Sequence, residues 1–122
     1  MNKTATQIPK PILTYATLVG RIVEHHRRQR GIHQESMAQA IGISQSAYSR
    51  LEKGQSAMSV TQLRLIGERL GTTPEQLLQH TAQYASKLRA QGVDVIDEKP
   101  SSAAGVLIAL GILAALFAAG SS

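Results

Sequence analysis

The chain has no cysteine in its 122 residues, which excludes disulfides and any thiolate metal site. Acidic residues are few. Residues 1–92 carry 12 Lys and Arg against 5 Asp and Glu, a surplus of 7, residues 93–100 carry 1 against 3, and the last 22 residues carry no charge at all. A folded part this basic, in a chain of formal net charge +5, points to a polyanionic partner, either nucleic acid or anionic lipid. Catalytic groupings are missing too. There is no glycine-rich loop to cradle a phosphate, no histidine placed with an activated serine, and no pair of acids on one helix face. The chain is therefore read as a binding protein rather than an enzyme, with no cofactor. His25, His26, His33 and His80 have no metal-ligand spacing with carboxylates. No internal repeat is visible. Met1–Pro11 is polar, holds two prolines and lacks an apolar core, so no secretory signal is expected and the basic part should stay in the cytoplasm.

What is present is helical periodicity. Residues 1–14 read as a flexible arm, because Pro9 and Pro11 deny it a helix start. From Tyr15 the apolar positions 15, 18, 19, 22 and 23, with His26 half counting, predict an amphipathic helix to about Arg30, stopped by Gly31. Two short helices follow, Gln34–Ile41 and Gln45–Lys53, separated by Gly42 as a turn residue, with Ser44 as N-cap. Gly54 ends the second. A fourth helix is expected at Val60–Leu70, capped near Ser59 or Thr61, with Gly67 as an interruption that costs about 1 kcal/mol against alanine. Thr73-Pro74-Glu75 opens a fifth helix that runs to about Ala90. Residues 92–102 read as a linker. Val93, Val95 and Ile96 suit a brief strand, but a single segment makes no sheet.

The run Gln34–Gly54, QESMAQAIGISQSAYSRLEKG, resembles the Cro/C1-type (lambda-repressor-like, XRE) helix-turn-helix family over roughly residues 15–80. The resemblance implies an all-α, five-helix DNA-binding domain at residues 15–91. It gives the residue types a purpose. Ala38 is small because two helices cross there, Gly42 makes the turn, and Met37, Ile41, Ile43, Tyr48 and Leu51 bury the inner faces. The second motif helix would lie in the major groove, with Gln45, Ser46, Ser49 and Arg50 toward base edges and Ala47 toward a thymine methyl. Gln34, at the start of the first motif helix, and Lys53 would hold phosphates. Arg27 and Glu52 match a partly buried salt bridge of the family and have a structural role. His26 departs from the pattern, standing where relatives usually have a longer apolar residue.

Ala103–Ala119 has no charged or strongly polar side chain over 17 residues. At 1.5 Å per residue it spans about 25 Å, close to the roughly 30 Å of a bilayer core. With its flanks, residues 103–120 are expected to form a transmembrane helix. Lys87, Arg89 and Lys99 precede it and only Gly-Ser-Ser follows, which predicts a single-pass inner-membrane tail anchor with the domain inside. The combined expectation is a transcriptional regulator that binds double-stranded DNA as a homodimer and touches membrane lipid through residues 103–120. The alternatives are a RodZ-like membrane adaptor that uses the same motif to bind protein, and a DNA-binding antitoxin. The buried Ala-rich dimer helix is a further alternative for the tail.

Overall fold

A computed structural model describes residues 8–100 and 102–120. It is mostly helical, with one minor sheet. In chain order the elements are β1 (Ile12–Thr14), α1 (Tyr15–Gln29), α2 (Gln34–Ile41), α3 (Gln45–Glu52), α4 (Val60–Leu70), α5 (Pro74–Ala90), β2 (Asp94–Ile96) and α6 (Ala103–Gly120). The bounds of α2 and α4 coincide with the sequence expectation, and Lys53 is the C-cap of α3 rather than its last residue. Two compact units are present among the described residues, Tyr15–Gln83 and a second that joins residues 8–14 with the described residues from Tyr84 onward.

In the Tyr15–Gln83 unit, helix period and burial agree. Leu18, Val19, Ile22 and Val23 of α1, Met37, Ala38 and Ile41 of α2, Tyr48 and Leu51 of α3, and Leu63, Ile66 and Leu70 of α4 are buried. These are the 3- and 4-residue spacings that put side chains on one helix face. Ile43, expected among the buried residues, is half-buried. Burying one such side chain contributes about 1.5–3 kcal/mol. The helix starts are also specified locally. Ser44 Oγ accepts the N–H of Ala47 at 3.1 Å, and Ser59 forms a reciprocal capping box with Gln62.

Gly67 has a tertiary explanation. The helix continues through it, and a Cβ there would stand 3.2–3.3 Å from the backbone of Thr72, Thr73 and Pro74. The chain entering α5 passes directly over this position, so the lost helix propensity is offset by close approach.

In the second unit β1 and β2 pair in parallel, Ile12 with Asp94, Leu13 with Val95 and Thr14 with Ile96. The Asp94 N–H donates to the Pro11 carbonyl at 2.9 Å, and Lys10 pairs with Asp94 at 3.3 Å. The arm read at residues 1–14 thus ends in β1, and the linker read at residues 92–102 holds β2, the brief strand that Val95 and Ile96 suited. Val95 and Ile96 do have a partner strand, supplied from the other end of the helical domain. The arm's first seven residues lie outside the described residues. α6 packs against β1, with Gly105, Ala109 and Leu113 buried.

Candidate nucleic-acid interface

α2, the turn Gly42–Ile43–Ser44 and α3 form one unit held from behind. Gly42 takes a left-handed conformation, φ 74° and ψ 31°, which a Cβ disfavours. The next N–H, of Ile43, reaches back to the Ala38 carbonyl at 3.0 Å, closing the end of α2. Ala38 is buried on the helix that packs against both α3 and α4. Gly20 of α1 is decisive for the seat of α3. A Cβ on it would stand 2.3 Å from the Glu52 carbonyl oxygen and 2.6 Å from that of Leu51, so α1 meets the end of α3 backbone to backbone.

An ion pair completes this attachment. Arg27 Nε donates to Glu52 Oε2 at 2.6 Å, and the Arg27 Nη2 donates to Oε1 at 3.0 Å. Arg27 Nη1 donates to the Ile32 carbonyl at 2.8 Å. Both side chains are almost fully buried, at 9% and 1% exposure. The hydrogen bond to Glu52 raises the Arg27 pKa above its ordinary value against the opposing effect of burial. Burial also raises the pKa of the Tyr48 phenol, reinforced by the neighbouring Glu52 carboxylate, so the inner face of α3 carries a neutral tyrosine.

Gln34 belongs to the same network. Its Nε2 donates to Glu52 Oε1 at 2.9 Å, a contact that the sequence reading did not anticipate. Among the described residues this leaves the second amide hydrogen and the amide oxygen of Gln34 without a hydrogen bond. His33, the N-cap of α2, supplies no side-chain cap, and among the described residues no other side chain caps the first amides of this helix.

The outer face of α3 is polar. Gln45, Ser46, Arg50 and Lys53 are exposed, and Ala47 and Ser49 are half-buried. Ser46 Oγ lies 3.3 Å from Ser44 Oγ. α3 has one acid, and it is the buried Glu52. Arg21, Arg28 and Arg64 are paired with Glu24 or Glu68, whereas Arg50 and Lys53 form no ion pair among the described residues. Gln45, Ser46, Ala47, Ser49, Arg50 and Lys53 thus share one helix and its cap, and Gln34 reaches the base of that helix through Glu52.

What the sequence reading missed is the supporting layer. Gly20 looks like any small residue on an amphipathic helix, and only the three-dimensional approach of α3 shows why it is glycine. His26, half-buried, lies with its Nε2 2.9 Å from His80 Nδ1, so a polar contact between α1 and α5 stands where an apolar one was expected. Burial, then the charges of His80, Arg30 and His25, lower the His26 pKa to about 4. Among the described residues no group of three or more His, Asp or Glu side chains is arranged to hold a metal ion.

Residues 24–77 match the helix-turn-helix family model. No curated protein matches the chain. The crystal structure of the clp gene regulator ClgR from Corynebacterium glutamicum is similar, with TM-score 0.61 and 25% identity over 68% of this chain and 86% of that one. A second crystal structure of ClgR from C. glutamicum has TM-score 0.54 and 23% identity, over 57% of this chain and 91% of that one, and shares the fold. Residues 24–77, which hold the Arg27–Glu52 tie, both motif helices and α4, are thus a helix-turn-helix domain of the Cro/C1 type.

Proposed function

We propose that the protein is a sequence-specific transcriptional regulator that acts by binding double-stranded DNA, with α3 in the major groove. The observation that carries this reading is the face of α3, where Gln45, Ser46, Arg50 and Lys53 are exposed while the only acid is buried against Arg27. Such a face meets phosphates and base edges without like-charge repulsion. Gln45 suits adenine and Arg50 guanine, Ser46 and Ser49 suit either, and Ala47 suits a thymine methyl. Gln34 and the uncapped start of α2 suit a phosphate, as does Lys53. The domain match and the likeness to a gene regulator support the same reading. Domains of this type bind as dimers, so two copies would read half-sites about 34 Å apart.

α6 extends the proposal. Its 18 residues form a helix that is long and apolar enough to cross a membrane, and at 1.5 Å per residue it measures about 27 Å. It would tether the regulator to the inner membrane with the DNA-binding domain in the cytoplasm.

Selection of bound sequences from random duplexes by the full chain in detergent tests the DNA reading. Enrichment of an inverted repeat with half-site centres about one helical turn apart is expected. No enrichment at low salt would refute it and favour an adaptor that uses the motif to bind protein.

A further inference from the structure

α6 is not free in this structure, although it is apolar all round. Gly105, Ala109 and Leu113, four residues apart, are buried in the unit that contains β1, β2 and the end of α5. At Gly105 the fit is backbone to backbone, since a Cβ would stand 2.3 Å from the Lys10 carbonyl oxygen and 3.0 Å from Ile12 Cγ2. At the other end the Phe117 ring lies 4.8 Å from that of Tyr84, centroid to centroid. A Cβ on Gly120 would come within 2.8 Å of the Tyr84 hydroxyl and 3.9 Å of Lys87 Nζ. α6 therefore touches protein near both ends, the Lys10 backbone and Ile12 at its start and Tyr84 with Lys87 at its finish.

A helix that crosses a bilayer needs acyl chains around that same length. It cannot keep β1 beside Gly105 and Lys87 beside Gly120 at once, because one end of the helix would then hold the Lys87 charge across the hydrocarbon, which is strongly unfavourable. The seated and spanning positions are mutually exclusive. The seat is also incomplete. Leu107 is 70% exposed, and a Cβ on Gly111 would meet nothing within 4 Å, so most of the helix surface remains uncovered.

We propose that α6 is a stowed membrane anchor, in which the Gly105–Ala109–Leu113 stripe seats on β1 and the end of α5 until the helix leaves that seat for a lipid bilayer. This rests on the reading of α6 as a membrane helix. Seating and insertion draw on one population of α6, so the stowed fraction lowers the apparent affinity for lipid, and weakening the seat raises it. The small residues of the stripe serve close approach to the sheet, and their replacement by larger apolar ones closes the seat while making the helix better suited to lipid.

Two matched pairs of variants of the full chain separate the terms. Gly105→Leu and Gly111→Leu add the same side chain to α6, as do Ala109→Leu and Ala115→Leu. Only the first of each pair disturbs the seat, because Gly105 and Ala109 are buried while Gly111 and Ala115 are exposed. The readout is flotation with phosphatidylcholine–phosphatidylglycerol vesicles, with far-ultraviolet circular dichroism to confirm helix content. Each seat variant is expected to bind vesicles about tenfold or more tightly than its matched control. If Gly105→Leu fails to fold, the Ala109 pair gives the same contrast. Equal gains within both pairs overturn the stowed state and leave the membrane reading intact. Absence of vesicle binding by the parent and all four variants overturns the membrane reading and the proposal with it.

Discussion

α3 and α6 expose themselves in opposite ways. α3 is 8 residues long, buries Tyr48, Leu51 and Glu52, and turns Gln45, Ser46, Arg50 and Lys53 outward. α6 is 18 residues long, buries 3 of them, and leaves an apolar surface uncovered. Water solvates the exposed face of α3 at no cost, so that helix is complete as it stands and its outward groups are available for recognition. The exposed face of α6 has no such solvent. An apolar surface of that kind marks an interaction with a membrane or another protein. On the proposed reading the chain carries two binding surfaces that call for opposite chemistry, one strongly dependent on salt and one nearly indifferent to it.

The comparison breaks most sharply if the support of α3 is removed. Glu52→Ala leaves Arg27 buried without its carboxylate and is expected to cost about 3–5 kcal/mol of stability, seen as a large fall in melting temperature. A variant as stable as the parent would show that α3 is held by packing alone. At the other helix, Ile112→Arg places a charge in the middle of α6 at about 2.5–3.5 kcal/mol on insertion scales. Much of the protein should move from the alkali-resistant membrane fraction to the soluble one, with DNA affinity unchanged.

On the outer face of α3, Arg50→Ala is expected to lose about 1–3 kcal/mol at the preferred site and to relax specificity at one position. Fluorescence anisotropy against point-substituted duplexes measures both. Unchanged affinity and specificity would show that the register of α3 on DNA is different.

Acid should also separate the two regions. The His26 pKa is depressed in the folded state from 6.5 to about 4. Its contribution to stability is therefore complete above pH 6.5 and is lost as pH falls toward 4, because the unfolded chain takes up the proton first. His26→Leu should flatten melting temperature across that window. α6 has no ionisable side chain, so its retention in vesicles should not change over the same range. The smallest expected effect is that of Lys53→Ala, which should weaken binding to all sequences alike and reduce the slope of log affinity against log salt by about one.

The five helices of the domain could be read in the chain because their instructions are local. Apolar residues recur at helical spacing, Gly42 permits the turn, and Ser44 and Ser59 cap α3 and α4. The outward side of α3 was legible for the same reason, since a helix period places exposed Gln45, Ser46 and Arg50 and half-buried Ser49 once Tyr48 and Leu51 are assigned inward. Gln34 was read as a residue at a helix start, and its hydrogen bond to Glu52 depends on how α2 crosses α3. The two strands show the limit most plainly. Val95 and Ile96 have strand character, but no local feature names Leu13 and Thr14 as their partners across the whole helical domain.

Composition and period settled where the helices run, which of their faces are apolar, and that the last helix has no polar side at all. Each of these depends only on neighbours a few residues away, a distance over which backbone geometry is regular. The close approach of Gly20 to the end of α3, the Arg27–Glu52–Gln34 network, the His26–His80 contact and the seat of α6 on β1 were decided only by folding. Each joins residues far apart in the chain, and the energy of such contacts depends on distances of a few ångströms that no local pattern encodes.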